Sequence, residues 1–309
     1  MSAEPAYLIA RARVDRVDRI SPNFARITFS GDDLADFGTP GGVLDQRIKL
    51  IFPADGLALP DLSGAGADWY QAWLAVPAEE RGSMRTYSIR HLAVGDSGTN
   101  VVIDFVLHLA PGATGPASRW ASGARAGDEL LVIGPRRGRT DGGGIEYSPG
   151  DAGEILLAGD ETAAPAIARI LEDVDRGTRG VAFIEVPDAD DALHIDAPAG
   201  VEVRWLARAG KAHGETLLPA VLDHLGTAAS AAVEIEDADT EDPLWETPDY
   251  SSLGEALAPA APHADRYFWI AGESGVVTTL RRQLVKELGI DRTQVAFMGY
   301  WRRGVAMKG

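Results

Sequence analysis

The segment RTYSIR, at 85–90, sets a guanidinium, an aromatic ring and a hydroxyl within four positions, on Arg85, Tyr87 and Ser88. A flavin needs a ring against its isoalloxazine face, a hydroxyl near its ring nitrogens and a cation for its pyrophosphate. A second segment, HLAPGATGPASRWA, starts at His108 and reaches a glycine-rich turn before a short helix. There Gly115, Pro116, Ala117 and Ser118 would present backbone amides and a hydroxyl at a helix N-terminus, where the dipole favours an anion by about 0.3 to 1 kcal/mol. The same turn also reads as a surface helix with Ser118 as its N-cap. A third segment, LLAGDETAAPAI, runs from an apolar strand through Gly159 into a helix, the geometry that brings a nucleotide phosphate to the carboxyl edge of a sheet. It lacks G-x-G-x-x-G. Asp160 and Glu161 would repel a phosphate lying over them, so the expected contacts are Thr162 and the amides beyond it. WIAGESG repeats the arrangement with Gly272, Glu273 and Ser274, and otherwise reads as an ordinary capped helix start.

The elements that must carry these groups fall into two patterns. From Arg13 to Gly134, short β-branched and apolar runs, clearest at 26–30, 47–52, 84–90, 101–108 and 129–133, are separated by Gly, Pro and Asp. They predict an antiparallel β-barrel, with a short helix at 118–124 and an excursion at 63–80 held down by Trp69, Tyr70 and Trp73. The turn-rich stretch 136–153 cannot continue a strand or helix and predicts a domain boundary near 150. Beyond it, apolar runs at 155–159, 181–186, 201–208, 267–273 and 294–301 alternate with helical segments at 163–175, 215–225 and 275–288. That alternation predicts a doubly wound parallel sheet of the nucleotide-binding type over 151–309. Residues 230–255 break it and, with Glu234, Glu236, Asp237, Asp239, Glu241, Asp242 and Glu246, predict an acidic surface insertion.

Composition narrows the chemistry. The 309 residues suffice for two cores of about 150 residues each. Lys and Arg number 29 against 46 Asp and Glu, a net charge of -17 that argues against nucleic acid and requires any anionic ligand to be held by a local basic cluster. With no Cys, thiolate nucleophiles, disulfides and cysteine-held clusters are excluded. His91, His108, His194, His213, His224 and His263 show no metal-ligand spacing. No stretch has the length of a signal-peptide core or a membrane span, so a cytoplasmic protein without membrane insertion is expected.

In this order RTYS, GPAS before a helix, GDETA, AGE and a terminal GYWRRG resemble the siderophore-interacting proteins, ferric-siderophore reductases of the ferredoxin reductase superfamily. IKLIFP at 48–53, DELLVIGPR at 128–136 and RWLAR at 204–208 extend the resemblance over nearly the whole chain; the insertion at 230–255 departs from shorter members. The resemblance implies an FAD-binding barrel over 1–150 and an NAD(P)H-binding domain over 151–309, with no catalytic side chain because the flavin carries the chemistry. FAD contacts are then expected from Arg85, Thr86, Tyr87, Ser88, His108, Gly115, Pro116, Ala117, Ser118, Thr162 and Trp301. Those to NADPH or NADH are expected from Gly159, Asp160, Thr162, Arg208, Gly272 and Glu273. A 2′-phosphate needs cations, for which Arg208 and Lys211 are the nearest, and both nucleotides stay open. Lys49, Arg136 and Arg302, in segments that face the flavin in the resembled family, would hold an anionic ferric siderophore, with Tyr300 or Trp301 beside it. No resident metal is implied, and a monomer is expected. A flavin reductase serving a protein acceptor and a siderophore-binding protein without catalysis are the alternatives.

Overall fold

The structure, a computed structural model, describes residues 5–95, 98–109, 114–227, 235, 244–247, 250–251 and 265–304. Two compact units divide between Ile145 and Glu146, inside the turn-rich stretch and a few residues before the expected position.

The first unit contains β1 (Tyr7–Ser21), β2 (Phe24–Ser30), β3 (Arg47–Phe52), α1 (Trp69–Ala75), β4 (Ser83–Ser88), β5 (His91–Gly95), β6 (Gly98–Val106), α2 (Pro116–Gly123) and β7 (Glu129–Pro135). Alternation drives the sheet: along β1, Leu8, Ala10, Ala12 and Val14 are buried while Arg11 and Arg13 face solvent. The seven antiparallel strands run in the order β4-β3-β7-β1-β2-β6-β5. The expected barrel is therefore a half-barrel, because no ladder joins β4 to β5 among the described residues. Those two edges are consecutive in the chain. Ile89 N–H still bonds the Gln46 carbonyl on the β3 side, and Arg90 N–H bonds Val102 of β6, so one segment changes partner where a closed barrel would have a ladder. Ile27, Phe29, Ile48, Leu50, Phe52, Ile103 and Phe105 fill the concave side. On the other face, Ile51, Met84, Leu131 and Ile133 are covered by Trp73 and Leu62 of the 63–80 excursion. Trp69 and Trp73 pack as expected, but Tyr70 is exposed, its ring stacked on Trp73 at 5.9 Å.

The second unit contains β8 (Glu154–Gly159), α3 (Ala164–Asp173), β9 (Arg179–Val186), β10 (Gly200–Ala207), α4 (Leu217–His224), β11 (Trp245–Thr247), β12 (Tyr250–Ser251), β13 (Arg266–Glu273), α5 (Ser274–Arg281) and β14 (Val295–Trp301). The order is β10-β9-β8-β13-β14-β11-β12. The first five strands are parallel, as expected; β11 and β12 add an antiparallel pair on the β14 side, so the sheet is mixed. Chain direction across the sheet reverses between β8 and β13, the switch point at which open α/β sheets take ligands. α4 and α5 bury Leu217, Leu218, Val221, Val276, Val277 and Leu280 against Leu156, Phe183, Phe268 and Phe297. Glu246 corrects the expectation of an acidic surface. It is 3% exposed, and its carboxylate accepts from the Arg281 guanidinium and forms an ion pair with Arg292 at 2.7 Å. A charge at that depth persists only when paired. Glu234, Glu236, Asp237, Asp239, Glu241 and Asp242 lie outside the described residues.

Candidate functional site

In the first unit, strand alternation places Arg85 and Tyr87 on one face of β4 and Thr86 on the other. The Tyr87 ring packs at 4.7 Å on Phe105 and 6.4 Å on Phe52, part-buried at the margin of the concave core. Burial pushes the Tyr87 phenol above its ordinary range, so the hydroxyl remains a proton donor. Arg85 donates to the Met84 carbonyl at 2.6 Å; burial lowers its guanidinium pKa, opposed by the nearby Tyr87. Among the described residues no carboxylate pairs with Arg85, although the chain carries 46 acidic residues. Ser88 is buried.

The turn before α2 differs from the sequence expectation in one respect. Gly115, not Ser118, is the N-cap, and it offers no side-chain acceptor. Ser118 sits in the third helical position, buried, where its hydroxyl donates to the Val106 carbonyl at 3.0 Å and accepts the His108 N–H at 3.4 Å. That hydroxyl ties α2 to the end of β6, since a buried hydroxyl must find partners. Pro116 fills the first position, where its missing N–H costs nothing. The amides of Ala117 and Ser118 meet no acceptor among the described residues. A guanidinium without a carboxylate partner among the described residues, a protonated phenol and an uncapped helix N-terminus within one unit suit the FAD that the sequence calls for.

Lys49 lies on the opposite face of the sheet, exposed, with its Nζ 2.7 Å from the Thr86 hydroxyl. Partial desolvation and then Arg47, two residues along the same face, lower its ammonium pKa. Sequence reasoning passed over Arg47; period-2 spacing from Lys49 was the available signal. Arg136 donates through Nε to the Pro5 carbonyl, and Arg137 to the Thr99 hydroxyl at 3.0 Å. Arg302 belongs to the second unit, just past β14, and is part-buried.

At the switch point of the second unit the expected phosphate contacts are otherwise engaged. Asp160 is 3% exposed; its Oδ1 accepts the Thr162 N–H at 2.9 Å and the Thr162 hydroxyl at 2.5 Å. Its Oδ2 accepts the Glu273 N–H at 2.8 Å and Trp301 Nε1 at 2.9 Å. The Asp160 carbonyl takes the amides of Ala163 and Ala164, and Pro165 has none. Thr162 and the amides just beyond it thus have their protons committed internally, which corrects the expectation that they receive a phosphate. Burial and the adjacent Glu161 raise the Asp160 pKa. Gly272, at φ +142°, is required here because a Cβ would lie 2.8 Å from the Asp160 carboxyl. Gly159 is required for packing, since a Cβ would meet the Ala163 Cβ at 2.5 Å. Glu273 caps α5 through the amides of Gly275 and Val276.

Arg208 is likewise reassigned. It is buried, forked onto Glu161 through Nη1 at 2.5 Å and Nη2 at 2.7 Å, with Glu185 at 3.5 Å from Nη1. Its guanidinium is thus engaged by two carboxylates of the chain; Lys211 is exposed. Glu185, which no motif marked, accepts the amides of Gly214, Thr216 and Leu217 and the Thr216 hydroxyl at the start of α4. His213 was also unmarked. Its Nε2 lies 3.2 Å from Glu161, and its ring meets the part-buried Trp301 edge-on at 4.8 Å.

Two family models match the chain: the siderophore-interacting FAD-binding domain over residues 13–139 and the siderophore-interacting protein over 152–304. Ferric vibriobactin reductase of Vibrio cholerae is 28% identical over 288 residues, covering 92% of this chain and 86% of that protein. The NADPH-dependent ferric-chelate reductase of Escherichia coli is 28% identical over 299 residues, covering 93% and 90%. A siderophore utilization protein from T. fusca superposes with a TM-score of 0.68 at 30% identity, covering 98% of this chain and 96% of that one. With both units matched and the FAD-suited groups in the first, the chain belongs to the siderophore-interacting protein family.

Proposed function

We propose that this protein is an NAD(P)H-dependent ferric-siderophore reductase that works with FAD in the cytoplasm as a monomer. The observation that carries the proposal is the set formed by Arg85, Tyr87 and the uncapped start of α2 in one unit. Bound FAD supplies the hydride acceptor and the one-electron donor that no side chain here can provide. Arg85 and the Ala117 and Ser118 amides would hold its pyrophosphate. Tyr87 presents a ring braced by Phe52 and Phe105 and a hydroxyl that keeps its proton. The carboxyl edge of β8 and β13 would receive the nicotinamide nucleotide. Lys49 and Arg136 of the first unit are the cations proposed to attract an anionic chelate without ligating its metal, and Arg302 of the second unit is proposed for the same role. Two electrons from one nucleotide reduce two ferric ions, and ferrous iron is held far less tightly by hard oxygen donors, so reduction releases it.

An anaerobic absorbance titration tests this. Purified protein should carry FAD, lose its visible flavin absorbance on adding NADPH or NADH, and regain it on adding a ferric siderophore. Bleaching without recovery by any ferric chelate would point to a protein acceptor, and absence of bleaching would leave a binding protein.

A further inference from the structure

The five parallel strands of the second unit end in one connected set of buried and part-buried polar groups. Asp160 and Glu161 follow β8, Glu185 lies at the end of β9, Arg208 follows β10, the Glu273 N–H closes β13, and Trp301 closes β14. Arg208 joins β10 to β8 through Glu161 and to β9 through Glu185. His213 carries the connection from Glu161 to the Trp301 ring, and Asp160 returns it to β8 through the indole N–H. Glu161 is fully buried, and its carboxylate meets both a forked guanidinium and an imidazole. A buried carboxylate with one cationic fork is costly to assemble, and packing alone would favour apolar side chains of the same volume. The placement offers a reason for it: these groups sit at the ligand-receiving edge of the sheet, and their forked geometry fixes the mutual spacing of the turns after β8, β9 and β10.

We propose that Glu161 is a positioning residue for the nicotinamide nucleotide and that Arg208 serves it rather than reading a 2′-phosphate. The inference rests on the function proposed above. Because the Glu161–Arg208 fork orders the receiving edge as a whole, its loss weakens both nucleotides alike, which separates positioning from phosphate recognition.

The experiment measures the rate of anaerobic flavin bleaching against NADPH and NADH concentration, using the full chain with FAD bound. Glu161→Gln should raise the half-saturating concentration of both nucleotides by about tenfold or more, with the ratio between them held within about twofold and the limiting rate within about threefold. A merely structural residue would instead reduce the bleaching amplitude without moving the concentration dependence. Arg208→Lys, which keeps the charge but not the fork, should act in the same direction. Should Glu161→Gln not fold, His213→Ala at the part-buried end of the network carries the test, with a rise of about threefold for both nucleotides. An unchanged half-saturation in the folded variants overturns the proposal. So does a rise confined to NADPH, which would make Arg208 the phosphate reader. Wild type that fails to bleach with either nucleotide overturns the functional reading itself and this proposal with it; wild type that bleaches beside insensitive variants overturns this proposal alone.

Discussion

Helix N-termini are treated in opposite ways in the two units. α2 begins at Gly115 and Pro116 with no side-chain acceptor, leaving the Ala117 and Ser118 amides to an external anion. α4 and α5 begin against the carboxylates of Glu185 and Glu273, which take those amides from within the chain. The dipole is the same in each case, worth about 0.3 to 1 kcal/mol to a nearby anion. What differs is who supplies the anion. The difference teaches that strand, glycine and helix in sequence do not by themselves make a phosphate site; the turn must also lack a carboxylate that reaches back.

The comparison breaks most visibly at Glu185. Replacing it with Ala leaves the Gly214, Thr216 and Leu217 amides and the Thr216 hydroxyl without their acceptor and removes a partner of Arg208. A stability loss of about 3 to 5 kcal/mol is expected in urea unfolding of the second unit. A loss under about 1 kcal/mol would mean that solvent satisfies those donors, and the internal cap would then count for little.

Arg85→Ala probes the other side. Losing one charge-assisted hydrogen bond costs about 1.5 to 3 kcal/mol, so FAD should bind roughly 10-fold to 100-fold more weakly in equilibrium dialysis. Full FAD retention would remove Arg85 from the cofactor site. Gly115→Asp sharpens the contrast by converting the first unit's helix start into the second unit's kind. The backbone there is extended at φ -71° and an added Cβ meets nothing within 4 Å, so the change introduces no strain. The new carboxylate should cap α2 and repel the pyrophosphate, weakening FAD by about tenfold, while Gly115→Ser, a neutral cap, weakens it less. Equal affinity in both variants would show that α2 does not face the phosphates.

The smallest effect expected is a pH dependence at Lys49. Its ammonium pKa lies below the ordinary 10.5 because of desolvation and Arg47. The proton is therefore lost at lower pH than from a free lysine, and the KM for an anionic ferric chelate should begin to rise below pH 10.5. Lys49→Arg should move that rise to higher pH, and added salt should raise KM across the range. A pH profile identical in the two proteins would place the chelate elsewhere.

Much of this molecule was legible in the chain. The β-branched and apolar runs at 26–30, 47–52 and 129–133 gave strand positions to within a few residues, whereas the long β1 was not read from the chain although its alternation was there to be seen. Arg85, Tyr87, Gly115 and Pro116 were proposed for FAD from type and local spacing, since the groups a flavin needs can lie within single segments. Local spacing could not find Glu185 or His213, nor the ion pairs of Arg208. Glu161 and Arg208 are 47 residues apart, and Glu185 and Leu217 are 32 apart. They meet only because the strand order sets β8, β9 and β10 side by side with their carboxyl ends aligned. Glu246 likewise looked like one more surface acid until β11 paired with β14 and brought it to Arg281 and Arg292. Side-chain type and short-range pattern determined what each segment could offer. Which offers were taken up inside the chain, and which stayed open to a ligand, depended on long-range pairing, because a buried charge or amide is satisfied by whatever partner the packed strands bring within hydrogen-bond reach.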